Sequence, residues 1–151
     1  MIGAILGGPF AMPFPVPDYA AALHRFVHDY EGSRAQAVRL VPVVFSFYAR
    51  LLVDERLSRD ARTIVTSVLA YFVVPDDVLP EAELGPVGLL DDLYAAAYAY
   101  RILRRELPQH VLADAWDADE QIDEAMSLAY SETRAELGKR TRDVLRMAGL
   151  S

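Results

Sequence analysis

The chain contains no cysteine, and this absence excludes disulfide bonds, thiol nucleophiles and thiolate metal ligands. Lysine is almost absent too: Lys139 is the only lysine, and the other 14 of the 15 Lys and Arg residues are arginines. Acidic residues outnumber basic ones, 22 against 15, and the net charge is −7. A surface of this sign argues against general nucleic-acid binding, which depends on basic side chains that contact phosphates.

Low-complexity tracts, repeats and linkers are also missing, so 151 residues favour a single domain. The composition is 53% apolar and 25% charged, which is typical of a folded core and not of disorder. Residues 1–17 differ from the rest, because they are apolar and interrupted by glycine and proline. They lack the basic start and the long apolar run of a secretory signal. We therefore predict an N-terminal tail (1–17) followed by a helical domain (18–151).

The spacing of apolar residues predicts an all-α, single-domain bundle of five or six helices. The predicted helical segments are 19–30, 38–53, 58–74, 87–107, a short helix after Pro108, and a last one from about 119 that Gly138 interrupts. Segment 38–53 is apolar on every side, which predicts a buried central helix, with an interfacial membrane helix as the alternative. Segment 87–107 is apolar on two sides, so it packs on both sides or on one side plus a partner.

An acidic loop rich in proline and glycine joins segments 58–74 and 87–107, which we expect to form a central antiparallel pair. No basic residue occurs between Arg62 and Arg101, whereas six acids do: Asp76, Asp77, Glu81, Glu83, Asp91 and Asp92. Carboxylates beside a core need caps, guanidinium partners or a metal ion. Arg50 and Arg62 are the candidate counter-charges.

Residues 70–80, AYFVVPDDVLP, and 85–93, GPVGLLDDL, resemble the signature of the YkvA-like family, a bacterial domain of unknown function. The family pattern is close to Y-x-x-x-P-x-D-x-x-P-D followed by G-x-x-D-D, and the resemblance extends over about residues 38–103. The chain departs from the pattern at Glu81, where the family has Asp, and at Asp76, where the family has an apolar residue. The resemblance implies a small helical domain, sometimes found near membranes, without an established activity.

Three interpretations compete for the acidic motif, Asp77, Glu81, Asp91 and Asp92: structural caps and ion pairs, a Ca²⁺ or Mg²⁺ site, or an acid–base pair. Asp91 and Asp92 are adjacent on a helix and project about 100° apart, which disfavours a shared ion. The structural interpretation is therefore preferred, and we predict no cofactor. The weaker alternative is a divalent cation held by Asp77, Asp91 and Asp92.

A second weak candidate for a metal site lies on the first predicted helix. His24 and His28 are four residues apart and Glu31 is one turn further, a spacing that allows three ligands on one face. Two surface histidines on one helix are also an ordinary occurrence, so this set alone does not predict a metalloprotein.

The preferred functional hypothesis is a non-enzymatic interaction or scaffold module in the cytoplasm. It would self-associate or dock on a protein partner through the apolar tail and the two-sided helices. The first alternative is a peripheral membrane protein that uses the tail and the basic C-terminal residues Lys139, Arg140, Arg142 and Arg146. The second is a metal-binding protein or metal-dependent enzyme at the acidic loop.

Overall fold

The computed structural model describes residues 16–73 and 88–151, and the side chains of residues 19–73 and 88–151. All regular structure in these ranges is helical, which confirms the predicted all-α bundle. The helices are α1 Val16–Val27, α2 Ala35–Val38, α3 Val41–Leu52, α4 Arg59–Val73, α5 Leu90–Glu106, α6 Gln109–Ala115, α7 Ile122–Leu137 and α8 Thr141–Ala148. A 3-10 turn, Gly138–Arg140, separates the last two. Six of these helices have eight residues or more, in agreement with the five or six predicted.

Local sequence signals account for several helix boundaries. The hydroxyl of Ser58 accepts the N–H of Ala61 at 3.2 Å and so caps the start of α4, as predicted. Gly138 has a φ of 55° at the end of α7, a conformation that glycine adopts without a steric penalty. The start of α1 was predicted one turn too late, because Pro17 is compatible with a first turn, where its missing N–H has no helical acceptor.

Helix α5 is the centre of the bundle, and most of its residues are buried. It packs against α3, α4, α7 and α8, so its two apolar sides are both covered by the same chain. The hydroxyl of Tyr48 on α3 donates to the carbonyl oxygen of Ala96 on α5 at 2.6 Å, which fixes these two helices side by side. The two-sided packing predicted for segment 87–107 is thus satisfied inside the molecule.

Helix α3 is the second core helix, as predicted for segment 38–53. Six of its side chains are fully enclosed: Val41, Val44, Phe45, Phe47, Tyr48 and Leu51. The segment Ala35–Leu52 is also long and apolar enough to cross a membrane by length and composition alone, but half of it is buried within the fold. Core helices share this property, so it is weak evidence for a membrane span.

The predicted helix pair is formed by α4 and α5, which pack against each other. The carboxyl end of α4 lies beside the amino end of α5, because the Tyr71 hydroxyl donates to Asp91 at 3.1 Å. Residues 74–87, which join the two helices and contain most of the acidic loop, lie outside the described residues.

Candidate functional site

Two carboxylates of the acidic motif, Asp91 and Asp92, lie in the first turn of α5 and are completely buried. Asp91 accepts a hydrogen bond from the Tyr71 hydroxyl on one oxygen and from the N–H of Asp92 on the other, at 2.9 Å. Negative charge at a helix amino end is stabilised by the aligned peptide dipoles. This geometry supplies part of the stabilisation that the structural interpretation requires.

The other members of the motif cannot be placed relative to this pair. Asp77 and Glu81, together with Asp76 and Glu83, lie outside the described residues. The prediction that Asp77 gathers with Asp91 and Asp92 around a cation therefore stays a prediction. Within the described ranges, no group of three or more His, Asp or Glu side chains is arranged to hold a metal ion.

The guanidinium groups of Arg50 and Arg62, the predicted counter-charges, contact carbonyls at the carboxyl ends of other helices. Arg50 donates to the carbonyl oxygen of Ala115, the last residue of α6, at 3.2 Å and lies 3.6 Å from the Asp117 carboxylate. Arg62 donates to the carbonyl oxygens of Leu52 and Asp54 after α3. Carbonyl oxygens at the end of a helix receive no hydrogen bond from a later helical N–H, and they lie at the negative end of the helix dipole. The described bonds of both guanidinium groups thus go to helix-end carbonyls and to Asp117, and their role as counter-charges of the acidic motif stays a prediction.

His24 on α1, with His28 and Glu31 just after it, does not form a three-ligand site. The rings of His24 and His28 are stacked with centroids 5.5 Å apart. His28 faces its own neighbours, with Nδ1 3.2 Å from the Arg25 carbonyl oxygen and Nε2 3.3 Å from Asp29. Glu31 is exposed and does not complete a metal-binding group with them.

A groove of about 990 Å³ lies on the surface between the end of α3, one face of α4 and the end of α8. Its apolar surface includes Val53, which is 77% exposed, and Met147, which is 48% exposed. We call it the α4 groove. Its lining residues are Leu52, Val53, Leu57, Arg59, Arg62, Thr63, Thr66, Ser67, Ala70, Tyr71, Arg146, Met147, Ala148 and Gly149.

The described residues that line the α4 groove include basic but no acidic side chains, whereas the whole molecule is acidic. Arg59, Arg62 and Arg146 line the groove, and none of the described residues that line it is acidic, although the chain carries a net charge of −7. Arg146 lies 2.6 Å from Asp143 at the surface, an exposed pair that a ligand could replace at little cost. The described lining of the groove therefore combines apolar surface with three arginines, of which Arg146 is paired with Asp143 and Arg62 is bound to backbone carbonyls.

Sequence reasoning did not find this groove, although two signals were present. Thr63, Thr66, Ser67 and Ala70 are small and spaced for one helix face. Met147 directly follows the basic residues near the C-terminus, for which the sequence favours the helix dipole or a lipid contact. Neither signal shows that α3, α4 and α8 leave a gap, because that depends on how the helices pack.

A second cleft, about 290 Å³, lies between α5 and α7. The hydroxyl of Tyr100 donates to Asp123 at 2.5 Å, and Arg104 donates to the same carboxylate at 3.3 Å. Burial, and then the bond to Asp123, raise the pKa of Tyr100 above its usual value. These groups bond to one another, so the cleft offers a ligand fewer interactions than the α4 groove.

Comparison with known proteins identifies the segment that contains both the buried acids and one wall of the α4 groove. Residues 61–98 match DUF1232, a family described as a protein of unknown function. The DUF1232 segment runs from the first turns of α4 to the middle of α5, and so includes Tyr71, Asp91 and Asp92. This match confirms the resemblance to the YkvA-like family, over a shorter range than the predicted 38–103.

One relative extends beyond the DUF1232 segment. The chain is 26% identical over 122 residues to "Uncharacterized protein ORF9" from Methanothermobacter thermautotrophicus, which covers 81% of this chain and 84% of the relative. The similarity therefore includes most of the helical bundle. No solved structure matches the chain.

Proposed function

We propose that the protein is a non-enzymatic interaction module that docks an apolar, carboxylate-bearing segment of a protein partner in the α4 groove. The observation that supports this most directly is the combination of exposed Val53 and Met147 with three arginines and no acid among the described lining residues. Apolar side chains in a concave, charged surface are typical of protein-binding sites.

The side chains of the groove define the partner's chemistry. Val53, Leu57 and Met147 offer apolar contacts, so the partner segment must bury apolar side chains against them. Guanidinium groups form paired hydrogen bonds with carboxylates, which makes Asp or Glu the favoured neighbours of Arg59 and Arg146. An amphipathic helix or an extended segment with both kinds of side chain satisfies these requirements.

The structure changes which surface of the protein is proposed to bind a partner. The two-sided apolar helix was one reason to expect self-association, but α5 is covered on both sides by helices of its own chain. The tail, the other reason, lies outside the described residues. The proposed docking surface is therefore the α4 groove and not the face of α5.

Photo-crosslinking in the native host tests this proposal. A benzophenone amino acid replaces Met147 in the groove, and the matched control replaces Phe26 on α1, which is 43% exposed and lies outside the groove lining. We expect a discrete protein adduct at position 147 and not at position 26. Sequencing of the adduct is expected to place the link in an apolar segment with at least one Asp or Glu.

Binding of the purified partner completes the test. Wild-type protein and Phe26→Asp are expected to bind it equally, while Arg59→Glu binds about ten-fold more weakly because a favourable charge pair becomes a repulsive one. Equal adducts at both positions, or a linked segment without acids, would overturn the proposal. Adducts with lipid alone at position 147 would overturn it in favour of the peripheral membrane alternative.

A further inference from the structure

Two arginines from different helices meet at the ring of Tyr130 on α7. The guanidinium carbon of Arg101, on α5, lies 4.7 Å from the centroid of this ring, and that of Arg134, one turn further along α7, lies 5.9 Å from it. The attraction between a cation and the electron-rich face of an aromatic ring acts over such distances. Both arginines are exposed. The contact therefore gathers two positive charges at the surface of a protein whose net charge is −7.

The hydrogen-bond donors of these two arginines are not used by the described part of the fold. Among residues 19–73 and 88–151, neither Arg101 nor Arg134 donates from its side chain to an oxygen or pairs with a carboxylate. Arg104, close to Arg101 on α5, differs because it pairs with Asp123 at 3.3 Å. Stacking on a ring occupies the face of a guanidinium group, whereas its five N–H donors lie in its plane. The donors of Arg101 and Arg134 are thus available to an anion.

The cleft of about 290 Å³ between α5 and α7 begins at this pair of arginines. Arg101 and Tyr130 line it, and so do Ser127 and Ser131, whose side chains are exposed. A serine hydroxyl can donate to an anionic oxygen, as a guanidinium group does. The volume is at the lower end of the range for ligand sites, so the cleft fits a small molecule.

We propose that Arg101 and Arg134 bind the phosphate group of a small phosphate monoester whose remainder occupies the cleft beside Tyr130. A phosphate monoester carries a charge of about −1.5 to −2 at neutral pH and three acceptor oxygens, so it can accept from both guanidinium groups at once. A carboxylate has one charge and two oxygens, which a single arginine satisfies. Tyr130 holds the two cations near each other and so prepares the site.

This site is separate from the α4 groove. Neither Arg101 nor Arg134 is among the described residues that line the groove. The inference does not rest on the proposed docking function, and the failure of either proposal leaves the other standing.

A titration of the full-length protein with inorganic phosphate, followed by ¹H–¹⁵N NMR at constant ionic strength, tests the phosphate site. We expect saturable shifts of the side-chain Nε–H signals of Arg101 and Arg134. Arg101→Gln and Arg134→Gln are each expected to bind phosphate about ten-fold more weakly, because each loses a charge-assisted contact. The matched control is Arg25→Gln, an exposed position on α1 with the same change of charge, which is expected to bind phosphate as the wild type does.

Equal phosphate affinity in the three variants, or shifts that do not saturate, would show that phosphate only screens the surface charge and would overturn the proposal. Glycerol 3-phosphate tests the cleft. We expect it to shift the backbone N–H signals of Ser127 and Ser131 as well, and shifts confined to the two arginines would overturn the assignment of the cleft.

Vesicles of phosphatidylcholine and phosphatidic acid distinguish a soluble phosphate from a lipid headgroup. Wild-type protein is expected to stay in the supernatant when these vesicles are sedimented. Sedimentation with the vesicles that is lost in Arg101→Gln and Arg134→Gln, without binding of either soluble phosphate, would assign the two arginines to a lipid surface and overturn the small-molecule site.

Discussion

At the scale of single residues, Tyr48 carries the clearest pH dependence. Its side chain is fully buried, its hydroxyl donates to the carbonyl oxygen of Ala96, and burial raises its pKa well above the usual value. The unfolded chain releases this proton near pH 10, and the folded protein keeps it. The free energy of unfolding is therefore insensitive to Tyr48 below about pH 10 and falls above it, by about 1.4 kcal/mol per pH unit.

Urea unfolding between neutral pH and pH 11 measures this effect. Tyr48→Phe loses the hydrogen bond and is less stable at neutral pH by about 0.5–1.5 kcal/mol, the net value of one hydrogen bond, because the Ala96 carbonyl keeps its helical partner. Above pH 10 the variant loses stability less steeply than the wild type, and the two curves converge. Parallel curves would show that the Tyr48 hydroxyl ionises as easily in the folded protein as in the unfolded chain.

At the scale of helices, the hydrogen bond from Tyr71 to Asp91 ties the end of α4 to the start of α5. Both side chains are buried, so each single substitution, Tyr71→Phe or Asp91→Ala, removes an interaction that water cannot replace. We expect the double variant to be more stable than the sum of the two single losses predicts, by about 1 kcal/mol or more. Denaturant unfolding of the four proteins gives this coupling energy.

A matched pair controls for general destabilisation. Asp123 bonds to Tyr100 and Arg104 and not to Tyr71. Tyr71→Phe combined with Asp123→Ala is therefore expected to be additive to within about 0.5 kcal/mol. Equal coupling in both pairs would mean that the α4–α5 contact does not depend on the Tyr71–Asp91 bond.

The helices that could be predicted from sequence are those determined by the composition of the segment and the spacing of its apolar residues. The buried α3 and the two-sided α5 follow from apolar residues on every face, and Ser58 and Gly138 mark boundaries through their own hydrogen bonding and backbone freedom. The motif around Tyr71, Asp91 and Asp92 was sufficient to indicate the DUF1232 segment.

The partners of the arginines could not be predicted in the same way. A guanidinium group binds a carboxylate or a helix-end carbonyl with similar geometry, and the nearest acceptor decides between them. The sequence has an acidic loop without basic neighbours, which favours Arg50 and Arg62 as its partners. In the structure the described bonds of these two guanidinium groups go to the ends of α6 and α3, while the loop lies outside the described residues. The α4 groove could not be predicted for a related reason, since it is a gap between three helices and depends on how they pack.

At the scale of the whole molecule, the described helices cover the apolar surface of α5 without a second chain. Folding of one copy should therefore not depend on another. We expect the thermal unfolding midpoint to stay constant over an about hundred-fold range of protein concentration, because only an obligate oligomer gains stability by mass action. A midpoint that rises with concentration would make self-association part of the fold.

Apolar side chains that stabilise the fold can be distinguished in the same way from apolar side chains that are available to a partner. Val53 is largely exposed and Val44 is fully enclosed. Val53→Asp is expected to change the free energy of unfolding by no more than about 0.5 kcal/mol, and Val44→Asp to lower it by more than about 3 kcal/mol, because only the second change buries an unpaired charge. Chemical denaturation of the two variants compares one substitution in two settings. A large loss at Val53 would show that the α4 groove belongs to the core, and the case for a docking surface there would fail.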